Sequence, residues 1–115
     1  MVSTKFSNMK HHNKLVRDKI PEILRQEGIS FQERTAAPEE MLYLLVDKLR
    51  EETREFAEKP NVKELADILE VVIALSQIIA PEGGRGLLEL VCNEKFEERG
   101  GFSERIVLIS TDETS

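Results

Sequence analysis

The stretch "LREETREFAEKPNVKELADILE", residues 49 to 70, carries seven carboxylates and decides how the chain folds. Both flanks of "KPN" have helical spacing. Pro60 lacks the N–H that would continue a helix, and Asn61 is a residue type that opens one. The pattern therefore predicts one long helix over "APEEMLYLLVDKLREETREFAEK", entered through Pro38, and a second over "NVKELADILEVVIALSQIIA", stopped by Pro81. A two-helix hairpin turned at Lys59–Pro60 follows.

The faces of these helices sort the carboxylates. At about 100° per residue, Leu42, Leu45, Leu49 and Phe56 fall within about 60° of one another. Glu52 sits at the edge of that stripe and Glu55 on its flank. Glu51 points roughly the opposite way and reads as solvated. In the second helix, apolar residues from Leu65 to Ile79 cover more than half the circumference, so this helix is expected to be buried on several sides. Glu64 and Asp67 project from within that arc, and Glu70 lies outside it.

In an antiparallel hairpin, Glu52 is level with Asp67, and Glu55 with Glu64. Each helix contributes its two acids at i, i+3 spacing, which places them on one face. Four carboxylates thus meet at one patch between two helices. Like charges so placed repel and resist desolvation, so they need cations, shared protons or a metal. An all-oxygen set suits a hard cation, Mg²⁺ or Mn²⁺, better than zinc. Geometry alone leaves this reading level with that of a solvated, acidic hairpin end.

The rest of the chain bounds the answer. At 115 residues it is of single-domain size, and its 40% hydrophobic content supports a modest core. "RDKIPEILRQEG" predicts a short helix with Asp18 as N-cap, Pro21 in the first turn and Gly28 as the stop. "LLELVCNEKFEER" predicts a third long helix ending at Gly100 and Gly101, preceded by "PEGGRG" as a loop. The fold class expected is mainly α, an antiparallel helical bundle. A small two-stranded β element is possible at 29–35 ("ISFQERT") and 105–110 ("RIVLIS"). Residues 13–110 form the expected domain, with 1–12 and 111–115 as flexible tails.

A net charge of −6 and a pI near 5.0 disfavour stable nucleic-acid binding and an anionic membrane surface. A lone Cys92, no apolar run of about 18 residues and no signal-peptide core point to a cytoplasmic setting. Cys92 has no evident base beside it and reads as a small buried residue. "EGGRG" lacks the Lys-Ser/Thr of a phosphate loop. His11 and His12 lie in a stretch without periodicity and are weak candidates as ligands. Two neighbours within one small chain are too few to cover the second long helix, so a homo-oligomer, dimer or tetramer, is expected.

Glu52-x-x-Glu55 followed by Glu64-x-x-Asp67 resembles the Glu-x-x-Glu … Glu-x-x-Asp motif of the MazG-like all-α nucleoside triphosphate pyrophosphohydrolases. "NKLVRDKIPEIL" and "KFEERGGFSERIVLI" are similar to blocks of the subgroup resembling phosphoribosyl-ATP pyrophosphohydrolase. The resemblance covers about residues 13 to 109. Eight residues, Phe56 to Lys63, connect the two half-motifs, fewer than in many members. The resemblance implies Mg²⁺-dependent cleavage between the α and β phosphates of a nucleotide, giving a monophosphate and pyrophosphate. It implies Glu52, Glu55, Glu64 and Asp67 as metal ligands and catalytic groups. Lys14, Arg17 and Lys19, with Lys95 and Arg99 one turn apart, are candidate phosphate contacts. Each has a plainer role open to it, as partner to a nearby acid or as a cation near a helix C-terminus. Phe102 reads as core or interface, with base stacking open. The competing functions are phosphoribosyl-ATP pyrophosphohydrolase of histidine synthesis and a non-catalytic module that dimerises and binds nucleotide.

Overall fold

The computed structural model describes residues 9–113. Helix α1 (Ile20–Gln26) is followed by a single 3₁₀ turn (Pro38–Glu40) that leads directly into α2 (Met41–Glu58). Helices α3 (Val62–Ile79) and α4 (Gly84–Arg99) complete the element order. The architecture is mainly α, as the periodicity requires: α2 packs on α3, and α3 on α4. None of these helices is long and apolar enough to cross a membrane. Of the tails expected at 1–12 and 111–115, residues 1–8 and 114–115 lie outside the described residues.

The α2–α3 turn forms as "KPN" dictates. Asn61 Oδ1 accepts the Glu64 N–H at 3.0 Å, and Asn61 Nδ2 donates to the Lys59 carbonyl at 2.8 Å. One side chain thus caps α3 and fixes the exit of α2, leaving three residues between the helices. The entry to α2 is also pinned. Arg34 holds Glu40 through both carboxylate oxygens, at 3.0 and 2.9 Å, while the Ala37 N–H donates to the same carboxylate. The bidentate guanidinium, with the backbone donor, holds Glu40 at a pKa of about 2.

Four local expectations need correction. Lys19, not Asp18, occupies the N-cap of α1, in helical conformation and with no side-chain cap; Pro21 does sit in the first turn. The "PEGGRG" loop is shorter than its composition implies, because Gly84 to Gly86 form the first turn of α4. Gly84 has φ +50°, a left-handed conformation that glycine adopts without strain where the chain turns from α3 into α4. Cys92 is exposed rather than buried.

The fourth correction concerns strands. None occurs among the described residues, so neither 29–35 nor 105–110 forms the β element allowed for it. Strand propensity is a preference for packing on a neighbour, and a ladder needs two partners. Residues 29–35 are instead tied by Arg25, whose guanidinium lies 5.3 Å from the Phe31 ring centroid and 3.1 Å from Glu33. Ile106, Val107, Leu108 and Ile109 pair with no strand among the described residues and are 75–87% exposed.

The core is correspondingly thin. Leu45 on α2 and Val71 on α3 are the buried apolar residues among those described. Leu65, Leu69 and Ile79 on α3 are exposed, so the burial on several sides expected for this helix is not met within one chain.

Candidate metal centre

Glu52 is the most unusual residue of the seam. It is a carboxylate only 6% exposed, more enclosed than Val71. It sits within the helix pair because its wheel position adjoins the Leu45 stripe. Each of Glu52, Glu64 and Asp67 offers a carboxylate oxygen, and these oxygens lie within 4.8 Å of one another. The Asn61 cap sets Glu64 in the first turn of α3, and one further turn brings Asp67 onto the same face. Three of the four acids picked out by spacing thus converge. Glu55 is outside this group and exposed, because three residues along α2 carry it about 60° further from the seam.

The polar accounting at this cluster does not close. Glu52 Oε2 and Glu64 Oε2 are sealed from solvent and have no hydrogen-bond partner. A buried carboxylate oxygen left unpaired is costly, and this pair stands among like charges. Burial first, and then the charge of Glu55, raise the Glu52 pKa above the usual carboxylate range.

Cations from two elements offset part of this charge. Lys48 reaches Glu51 at 3.1 Å and Glu52 at 3.5 Å. Sequence reading missed Lys48, although its position three and four residues before these acids is the usual helical pairing distance. The segment ahead of α1 supplies the others. Lys14 Nζ lies 2.6 Å from Glu51, and Arg17 Nη2 lies 2.8 Å from Asp67. Two of the basic residues singled out in the sequence are therefore laid against the acids of the hairpin.

Glu51 is not the solvated residue its wheel position implies. It lies on the side of α2 away from α3, but the segment holding Lys14 covers that side. Lys14 and Lys48 together hold its carboxyl below the usual range, the Lys14 contact contributing most. Between this segment and α2 lies a cleft of about 410 Å³, lined among others by Lys14, Lys48, Arg50 and Arg54. It adjoins the cluster through Lys48 and Glu51.

The remaining candidates are not brought in. Lys19, Lys95 and Arg99 are exposed and make no ion pair among the described residues. Every residue from Glu89 to Glu113 is exposed, and Phe102 stands 97% open to solvent. His11 and His12 are exposed and contribute nothing to the cluster.

The donor set suits a hard divalent cation. It is all oxygen, anionic, and includes two enclosed oxygens without a donor. No protein-family model, curated protein or solved structure matches the chain, and the reading of this site rests on its own residues.

Proposed function

We propose that the chain is a nucleotide pyrophosphohydrolase that requires Mg²⁺, with Mn²⁺ as a substitute. It would cleave between the α and β phosphates to release a monophosphate and pyrophosphate. The observation that carries the reading is the pair of sealed, donorless oxygens on Glu52 and Glu64 beside Asp67. A solvated hairpin end would leave these oxygens to water. Here they are directed into the helix pair, where a cation would satisfy them.

Glu52, Glu64 and Asp67 would hold the ion. When bound, the ion supplies phosphate neutralisation and acidification of water. Glu55, exposed at the rim, is the carboxylate best placed to accept the proton of the attacking water, because no enclosed ligand geometry engages it. Lys14 and Arg17 are salt-bridged to Glu51 and Asp67 on partly exposed side chains. Such pairs are weak, worth about 0–1 kcal/mol, so a polyphosphate can compete for these cations. The cleft lined by Lys14, Lys48, Arg50 and Arg54 would take the phosphate tail by electrostatic clamping, with no covalent intermediate. Lys19, Lys95 and Arg99 have no comparable placement and are not assigned a role within one chain.

The exposed apolar surfaces of α3 and α4 favour self-association as part of the same reading, and also sustain the alternative of a non-catalytic interaction module. One assay separates them. The protein is incubated with nucleoside triphosphates, deoxynucleotides and phosphoribosyl-ATP, with and without Mg²⁺, and pyrophosphate is measured. Release from triphosphates supports the proposal, and release from phosphoribosyl-ATP alone moves the substrate to the histidine pathway. No release from any substrate leaves the interaction module.

A further inference from the structure

Two features of the second half of the chain are complementary and do not meet. One is an apolar groove of about 300 Å³ between α3 and α4, lined by Val72, Leu75, Ile79, Leu87 and Val91 among others. Its one side-chain hydroxyl, Ser76 Oγ, already donates to the Ile73 carbonyl at 2.6 Å, so the groove presents no donor awaiting a polar ligand. The other is the segment Ile106 to Ile109, four consecutive aliphatic residues exposed on all sides. A contiguous exposed apolar run of this kind marks a site of association.

We propose that two copies of the chain exchange these segments, the Ile106–Ile109 arm of each seating in the α3–α4 groove of the other. The arm does not occupy its own groove, because the exposed end of α4 carries it away from α3 beyond Val91. The dimensions agree. Four extended residues span about 13 Å at about 3.3 Å each. The stretch of α3 from Val72 to Ile79 that lines the groove spans about 11 Å at about 1.5 Å per residue. Such a contact is self-complementary, as a two-fold dimer requires.

The apolar surface to be covered is present on both sides of the contact: Ile79, Leu87 and Val91 on the groove and Ile106 to Ile109 on the arm all stand open to solvent. The arm-exchanged contact rests on the self-association reading above but is independent of the catalytic one.

The test uses the full chain in solution. Wild type is expected to be a dimer by light scattering at micromolar concentration. The double variant Ile106→Asp/Leu108→Asp places two charges in the groove and weakens the dimer by about 100-fold or more. Its helicity by circular dichroism is unchanged, since those side chains lie outside the helices and are 83% and 75% exposed in their own chain. Val91→Glu, on the groove wall, has the same effect on association. Mixing the two variants restores one intact arm and one intact groove, and a heterodimer returns. An arm variant that stays dimeric, or two monomeric variants that fail to associate on mixing, overturns arm exchange and leaves self-association through α3 standing. A wild-type monomer at high micromolar concentration overturns both.

Discussion

The α2–α3 hairpin and the α4–arm region differ in how far one chain can finish its own structure. The hairpin closes on itself. A three-residue turn, capped by Asn61, brings Glu52 level with Asp67, and Leu45 and Val71 are buried between the helices. The contacts are local and their register is set by the turn. From Cys92 to Glu113 every residue is exposed, although Phe96, Phe102 and the run Ile106 to Ile109 lie there. Hydrophobicity supplies the drive to bury surface but does not select the surface that does the burying. In the hairpin the selection is made by chain connectivity; in the arm it falls to a partner.

The largest expected effect lies in the hairpin. Glu52→Gln or Asp67→Asn is predicted to lower pyrophosphate release by about 100-fold or more while the fold remains near wild-type stability, since each removes a charge from a repulsive cluster. Titration calorimetry with Mn²⁺ gives a second readout, and metal affinity should fall with turnover. Normal turnover in either variant would place the active site elsewhere. The same variants should leave the dimer intact, which separates the two regions experimentally.

Glu51 and Glu52 are neighbours with opposite pH behaviour. Burial raises the Glu52 pKa, so its ionisation costs the fold stability as pH rises from the unfolded value, about 4.5, through the raised one. Glu52→Gln should therefore gain on wild type as pH increases across that window. Lys14 and Lys48 lower the Glu51 pKa, so its stabilisation is present above about pH 4.5 and is lost as pH falls through the depressed value. Glu51→Gln should cost about 1–2 kcal/mol at pH 7 and little in acid. Urea melts at several pH values measure both, and parallel pH profiles would contradict the assignment. Asn61→Ala should cost about 1 kcal/mol in the same melts, through loss of the α3 cap. The smallest effects are expected for Glu58→Gln and Glu70→Gln, both exposed, within about 0.5 kcal/mol and without change in turnover. A loss of activity in either would mean the cluster extends further round the hairpin than the helix faces allow.

Much of the hairpin was legible in the sequence. Pro60, Asn61 and the 3.6-residue period set the turn, the helices and the convergence of Glu52, Glu64 and Asp67. Glu51 was misread for a definable reason. A helical wheel places residues relative to one partner helix, and the segment that covers the other side of α2 comes from 37 residues earlier in the chain. Lys48 escaped notice because it looks like an ordinary surface cation until Glu52 is known to be enclosed. The "RIVLIS" segment has real strand propensity and no strand to join.

By itself the sequence determined the helical class, the hairpin and the convergence of Glu52, Glu64 and Asp67, because these depend on local periodicity and on residues a few positions apart. Tertiary structure alone decided that Glu52 is sealed from water and that Lys14 and Arg17 lie on the acids. These depend on which distant segment covers which face. Burial belongs to the whole arrangement of neighbours, and no local pattern encodes it.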